Sequence, residues 1–447
     1  MILDILLLTF LTLSGIPMGL KKQRKRETMN SIVQCFEYRR STQELLDFLR
    51  YDGPCPSSVF SLGRISNEKL VQLIQTTLAL KQEFIENCGS ATVSTKLFDL
   101  ANEQLKLINR LSEGETVWIT APLHASAAQL LRVGTQLDKK ASERRDLDKR
   151  KKKKLRGDLD EERFLEKCVR TIHTSFKLCL NDRNPNTHDN KKWGVYFFTN
   201  LELSIYKRLQ NRDMVRNLVK VLESRAQELP TPENALQSHK AQLVTYYYYM
   251  AEFYGCQDSN FARGFEFARK AWLNSRREGG SQEDMIVMLL IPFAMLAHKW
   301  YPDAQVLAAR HPRVARLYAP VIQCLRNGDL KSFETWLEQN EAAMLRRNLY
   351  VALVLVRELV LLKLLKLSFR FYGSRSIVPL KLVTTALLKS RTHKGVKNIT
   401  DEQLDETECV LANLISKDYI KGYLSHSNRA LVVSKTNAFP RLVHSGT

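Results

Sequence analysis

Four basic residues near the C-terminus have the chemistry of phosphate contact. They lie in or after the stretch "IKGYLSHSNRALVVSK" (420–435), at Lys421, Arg429, Lys435 and Arg441. Lys and Arg side chains neutralise nucleic-acid phosphates, and such contacts need no catalytic group. We therefore take these four residues as candidate nucleic-acid contacts.

A second basic segment, "DKKASERRDLDKRKKKKLR" (138–156), contains eleven basic and four acidic residues. With so few apolar positions it cannot pack as a core helix, so we expect a basic linker over 138–158. Lys151, Lys152, Lys153 and Lys154 are further candidate nucleic-acid contacts. A nuclear-localisation signal and a solvated run of charge are equally good interpretations.

The composition agrees with an acidic partner without requiring one. The 447 residues include 68 Lys and Arg against 47 Asp and Glu, a net charge of +21. Such a charge favours nucleic acid, an acidic protein or a membrane surface as partner, although solubility alone also explains it.

The sequence contains no motif for catalysis. It lacks G-x-G-x-x-G, G-x-x-x-x-G-K-[ST], H-E-x-x-H and G-x-S-x-G, and its nine histidines are scattered. None of the eight cysteines forms a C-x-x-C pair, so we expect free thiols in the cytosol or nucleus. We expect no enzyme activity, no cofactor and no metal.

The segments that would position the candidate contact residues have apolar residues mostly at helical spacing. "STKLFDLANEQLKLINRL" carries an apolar stripe at helical spacing, and helix pairs broken by polar loops follow from residue 160. The sequence predicts a mainly α protein, with an N-terminal helical region at 29–137 and a helical-repeat, tetratricopeptide-like α-solenoid at 159–372.

The C-terminal part, 373–447, has a different pattern. A short extended entry and a helix precede "TDEQLDETECVLANLISKDYI", where Thr400 and Gln403 form a capping box. We expect Leu404, Cys409 (or Glu408), Leu411, Ala412, Leu414 and Ile415 to line the inner face of that helix. In the stretch 420–435, two short β-branched runs flank a polar tip at 427–429, which predicts a β-hairpin. Two helices followed by this hairpin predict a winged helix, with the hairpin as the wing.

The wing also has candidate partner-docking residues. An acidic second helix, with five carboxylates near its start, argues against base reading in a major groove. We favour docking of another protein at the sheet edge over phosphate contact. The candidate docking residues are Ile420, Tyr423, Leu431 and Val433. The face that packs on the helices can be supplied by Ile420, Leu431 and Val433 together with either Tyr423 or Leu424.

Residues 1–28 form an apolar and basic leader. The apolar stretch from 2 to 20 is short for a bilayer span and resembles a signal anchor more than a cleaved signal peptide. We expect that translation starts at Met29, that the leader lies outside the fold, and that no membrane is involved.

Several stretches resemble a known family. "LANEQLKLINR", "NKKWGVYFFTNLELSIYKRL", "RNGDLKSFE" and "YLSHSNRALVVSKTNAFP" resemble, in this order, the fungal COP9 signalosome subunit 12 family, from about Met29 to Leu442. The "KKWG" and "VSK-x-N-x-FP" elements are shared with PCI proteins of messenger-RNA export.

The resemblance implies a PCI module, meaning a solenoid that leads into a winged helix. It implies a non-catalytic scaffold subunit, with cullin deneddylation in the ubiquitin-conjugation pathway performed by another subunit. The implied partners are other PCI subunits and a small acidic protein, in the nucleus and cytoplasm. The alternative is a PCI adaptor in transcription-coupled messenger-RNA processing or export that binds RNA or DNA.

Overall fold

The computed structural model describes residues 29–54, 67–87, 93–150, 163–276, 280–392 and 398–440. Over these residues the chain is mainly helical, with one small β-sheet near its end. Contacts between Cα atoms divide it into a first unit ending at Tyr246 and a second unit beginning at Tyr247. The predicted boundaries of the solenoid, 159 and 372, do not coincide with this division.

The first unit is built from helices that pack largely on their neighbours in sequence. In chain order they are α1 (Met29–Glu37), α2 (Gln43–Leu49), α3 (Glu68–Glu86), α4 (Thr95–Leu111), α5 (Thr120–Arg150), α6 (Phe164–Leu180), α7 (Val195–Leu209), α8 (Arg212–Ser224), α9 (Pro232–Ala235) and α10 (Lys240–Glu252), which continues into the second unit. Side chains of Thr, Ser or Asn accept backbone hydrogen bonds at the starts of α2, α3, α4 and α8, which explains why these helices begin where they do.

Long buried polar side chains satisfy the carbonyl groups at the end of α2. Gln104 and Gln129 donate to the Leu49 carbonyl over 2.9 and 3.3 Å, and Lys81 donates to the Arg50 carbonyl over 2.8 Å. All three side chains are buried. Because a helix end leaves four carbonyls without intrahelical donors, these contacts fix the position of the chain where it leaves α2.

The predicted basic linker is wrong over residues 138–150, because α5 continues as a helix to Arg150. Ala, Lys, Arg and Glu have high helix propensity, so an existing helix can extend without an apolar stripe. Asp138 accepts hydrogen bonds from the backbone N–H groups of Phe164 and Leu165 and so caps the next helix, α6. Residues 151–158 and the leader 1–28 lie outside the described residues.

The second unit contains six further solenoid helices: α11 (Phe261–Asn274), α12 (Ser281–His298), α13 (Ala304–Arg310), α14 (Pro312–Asn327), α15 (Leu330–Leu345) and α16 (Tyr350–Phe371). A π-helical turn at Phe253–Gln257 precedes them. The long apolar segment that ends this series of helices forms α16, which buries eight residues, four of them consecutive at 359–362. No helix in the described ranges is long and apolar enough to cross a membrane.

The C-terminal part is a winged helix, as predicted. It contains β1 (Ile377–Pro379), α17 (Leu380–Thr392), α18 (Asp401–Ser416), β2 (Gly422–Ser425) and β3 (Ala430–Val433). The three strands form an antiparallel sheet in the order β1-β3-β2. The capping box of Thr400 and Gln403 is confirmed at the start of α18.

The inner face of α18 differs from the prediction at two positions. Leu404, Leu411 and Leu414 are buried as expected, and Thr407 joins them. Cys409 and Ala412 are exposed, because the buried positions follow the spacing i, i+3, i+7 and i+10 from Leu404. Thr407 is accommodated because its hydroxyl accepts a hydrogen bond from Thr384 on α17 and itself donates to the Gln403 carbonyl.

Two glycines allow the π-helical turn to pack closely on α11 and α12. A Cβ atom at Gly255 would lie 2.1 Å from Cζ of Phe293, and one at Gly264 would lie 2.9 Å from the backbone of Gly255. No side chain fits at these distances, so glycine is required at both positions.

We predict that Gly255→Ala lowers the free energy of unfolding by about 1 to 3 kcal/mol, the usual cost of overpacking a core. The measurement is chemical denaturation of the full chain, with Gly114→Ala as the matched control because a Cβ there meets no atom within 4 Å. Equal stabilities of the two variants would contradict the packing explanation.

Candidate partner-docking and phosphate-contact site on the wing

The structure separates the four predicted docking residues into two groups. Ile420, Leu431 and Val433 are 1%, 4% and 3% exposed and belong to the hydrophobic core of the second unit, whereas Tyr423 is 63% exposed. Leu431 and Val433 alternate along β3 and therefore point to the same face, toward the helices. Direct docking through Ile420, Leu431 and Val433 is therefore wrong, and docking through Tyr423 stays a prediction.

The sheet order leaves β2 as an outer strand. β2 pairs with β3 on one side, and no strand within the described residues pairs with it on the other. The Ser434 N–H donates to the Lys421 carbonyl, so the pair of Lys421 and Ser434 is a hydrogen-bonded one. Hydrogen-bonded and non-hydrogen-bonded pairs alternate along an antiparallel ladder, so the pair of Leu424 and Leu431 is non-hydrogen-bonded and the Leu424 N–H points away from β3. The outer backbone of β2 can thus accept an added strand.

Arg429, a predicted phosphate contact, is already paired with carboxylates of α18. Its guanidinium donates to Glu408 over 2.9 Å and also contacts Asp405. It lies at the turn between β2 and β3 in the left-handed region, with φ of 43°. The acidic helix and the basic wing tip therefore neutralise each other, and Arg429 is a poor phosphate contact.

His426 completes this cluster at the wing tip. Its Nδ1 lies 2.8 Å from Glu408 and 3.4 Å from the Arg429 guanidinium. Partial burial alone would raise the pKa of Glu408, but hydrogen bonds from His426 and Arg429 outweigh it and hold the pKa below its ordinary value. Asp405, Glu408 and His426 also place one ligand atom each within 4.8 Å of one another. The guanidinium already supplies a positive charge there, so the cluster needs no metal ion.

Lys421 and Lys435 remain available as phosphate contacts, since both are exposed at the base of the wing. Arg441 and the lysines 151–154 lie outside the described residues.

Sequence reasoning missed a third cation near the base of the wing. Lys366 of α16 lies over the ring of Phe439, close to the backbone bond from Lys421 to Ala438. The pKa of Lys366 is lowered by burial and by the nearby charges of Lys363 and Arg370, which shows that basic side chains are crowded on this part of α16.

A second set of contacts missed by the sequence analysis attaches the start of the wing to the solenoid helices of the second unit. Lys299, at the end of α12, donates to the Leu296 carbonyl and lies 4.8 Å from the ring centroid of Tyr419, just before β2. Burial lowers the pKa of Lys299 to about 8. Next to it, Lys417 forms an ion pair with Glu358 of α16.

We predict that stability depends on pH through Glu408. Because its pKa is lower in the folded state, ionised Glu408 stabilises the fold above its unfolded pKa of about 4.3, and this contribution is lost as pH falls through the folded value. Glu408→Gln should therefore lower the melting temperature by a few degrees at pH 7, with a difference from wild type that shrinks between about pH 5 and pH 3.

The measurement is a series of thermal melts of the full chain across that range. Glu338→Gln, on the exposed side of α15, serves as control and should follow the wild-type profile. A constant difference between Glu408→Gln and wild type at every pH would show that the cluster does not act through ionisation.

Comparison with known proteins identifies the family. The PCI domain matches residues 337–435, which extend from α15 to just past β3. The chain is 38% identical over 422 residues to COP9 signalosome complex subunit 12 of Eremothecium gossypii, an alignment that covers 94% of this chain and 99% of that protein. It is 37% identical over 436 residues to the Cop9 signalosome complex subunit 12 of Saccharomyces cerevisiae (91% of this chain and 97% of the relative), and 33% identical to that of Kluyveromyces lactis (88% and 93%). The chain belongs to the COP9 signalosome subunit 12 family.

Proposed function

We propose that this protein is a non-catalytic scaffold subunit of a COP9 signalosome-like complex and works in the nucleus and cytoplasm. The carrying observation is similarity to the named subunits over nearly the whole chain, together with a PCI module whose outer strand is uncovered within the described residues. In this proposal another subunit performs cullin deneddylation, and this chain contributes binding surfaces.

The outer edge of β2 is the proposed docking element. Its backbone groups can continue the sheet, and main-chain hydrogen bonds of an added strand supply affinity with little demand on side chains. The apolar residues beneath it hold the strand on the helices and are not themselves contacted. The proposed partner is another PCI-domain subunit, and a small acidic protein is the proposed third component. The net charge of +21 favours binding of an acidic protein.

We predict that Leu424→Pro weakens assembly, because proline removes an N–H that points away from β3. The measurement is affinity purification of the tagged full chain, with quantitative mass spectrometry of co-purifying PCI subunits, which we expect to fall at least tenfold. Ser427→Pro is the matched control. It lies at the second position of the turn closed by the bond from Arg429 to His426, where proline is favoured.

Thermal melts of both variants separate lost docking from lost folding, since Leu424 also packs partly against the core. If Leu424→Pro melts like Ser427→Pro and still recovers the same PCI subunits, the edge is not the docking element. Recovery of no PCI subunit by the wild-type chain would contradict the scaffold function itself.

A second candidate function is binding of RNA or DNA in messenger-RNA processing or export. The observation that favours it is the exposure of Lys421 and Lys435 at the base of the wing, where the Lys421 N–H donates to the carbonyl of Ala438 and Lys366 lies over the ring of the next residue, Phe439. The pairing of Arg429 with Asp405 and Glu408 removes the wing tip from this surface. Contact would therefore be made at the base of the wing and through the phosphate backbone.

We predict that Lys421→Glu combined with Lys435→Glu weakens binding of a fluorescent single-stranded RNA by the full chain. The slope of log K against log salt should fall by about 0.7 for each lost contact. The matched control, Arg216→Glu with Lys220→Glu on the exposed side of α8, changes the net charge equally. The same loss in both double variants would show that binding reflects net charge and no defined surface.

A further inference from the structure

The outer face of the wing sheet carries a row of apolar side chains that the proposed functions do not use. The strand register places Ile377, Val432 and Tyr423 side by side, one on each strand. Ile377 is 58% and Tyr423 is 63% exposed, with Val432 partly exposed between them. Large apolar side chains in a continuous exposed row indicate an interaction surface.

This row lies on the face of the sheet opposite the buried one. Val378, Leu431 and Val433 occupy the intervening positions and are 2%, 4% and 3% exposed. Because side chains alternate between the two faces, a sheet whose outer face met only water would carry polar residues at 377, 423 and 432. Isoleucine, tyrosine and valine stand there instead.

Basic residues border the row on one side. Lys421 and Arg375 are exposed, and continuing the register places both opposite Ser434, two residues along each strand and therefore on the same face as the apolar row. The segments 374–379, 420–425 and 430–435 contain no acidic residue. A complementary ligand therefore has apolar anchors and acidic groups along one flank.

We propose that an amphipathic α-helix of a partner protein, acidic along one edge, docks across this face. Neighbouring strands lie about 4.8 Å apart, close to the 5 to 6 Å between helix side chains at i and i+3 or i+4. A helix at right angles to the strands thus matches all three anchors. Single-stranded nucleic acid fits less well, because bases stack on aromatic rings and two of the three residues are aliphatic.

The test is photo-crosslinking in cells, with p-benzoylphenylalanine placed at position 377 or 423 of the tagged full chain. The two positions are separated by two strand spacings, about 10 Å, which corresponds to six or seven residues along a helix but about three along an extended segment. Both positions should crosslink to one acidic, amphipathic segment of one partner protein, at residues six or seven apart.

The control is the same probe at Val351, which is 59% exposed on α16 and should not capture that segment. Crosslinks about three residues apart, crosslinks to RNA, or no crosslink from positions 377 and 423 would each overturn the proposal. Leu424→Pro distinguishes it from edge docking, because a helix on the outer face is still captured from position 377 when the β2 edge is blocked.

Charge complementarity is tested in the same experiment. Lys421→Glu should reduce the crosslink yield several-fold, and replacing the facing acidic residues of the captured segment by Lys should restore it. Tyr423→Asp, at an exposed position, should melt like wild type and lose the partner. A crosslink yield unaffected by Lys421→Glu would overturn the acidic character of the partner.

Discussion

The alternation of side chains along β3 is the constraint on which the wing depends. β3 is the central strand, paired with β1 on one side and β2 on the other. Leu431 and Val433 must both enter the core, which fixes the register of the whole sheet, because a slip of one residue would expose them and bury Val432. A two-stranded hairpin is marginal in water, so the sheet exists because this face packs on the helices. The same register places Ile377, Val432 and Tyr423 together on the outer face.

Electrostatics divides the wing into two regions. At the tip, the guanidinium of Arg429 is paired with Asp405 and Glu408 of α18, and the ring of His426 lies beside Glu408, so the positive charge of Arg429 is matched by carboxylates a few ångströms away. At the base, Lys421 and Lys435 lie near Lys366 and the aromatic ring of Phe439. Net charge alone does not show this division. A chain with a net charge of +21 can still have a wing tip that offers little attraction to phosphate, because charge acts over a Debye length of about 10 Å or less.

Local sequence signals were sufficient for the architecture of the C-terminal part. Thr400 and Gln403 marked the start of α18, and β-branched runs around a polar tip marked the hairpin, because capping and turn formation involve residues only a few positions apart. The pairing of Arg429 with Asp405 and Glu408 was not predictable in this way. It joins residues 21 and 24 positions apart and depends on how the wing packs on α18. The prediction of a linker after residue 138 was wrong for another reason. The composition shows that this segment has no apolar stripe to pack on a core, but it does not show whether a helix that has already begun can continue through it.

The choice of docking residues shows why burial must be settled before a function is assigned. Ile420, Leu431 and Val433 are apolar and lie in or beside a sheet whose β2 edge is unpaired within the part of the chain that the structure describes, so composition and position made them candidates. Side chains along a strand point alternately to its two faces, here the core and the outer face, and these three side chains are buried in the core. What is left for partners is the backbone of β2 and the side chains of the opposite face. Substitution of Leu431 or Val433 by Asp would therefore place a charge in the core and report on folding. A substitution that informs about docking must change the edge or the outer face and leave the buried face intact.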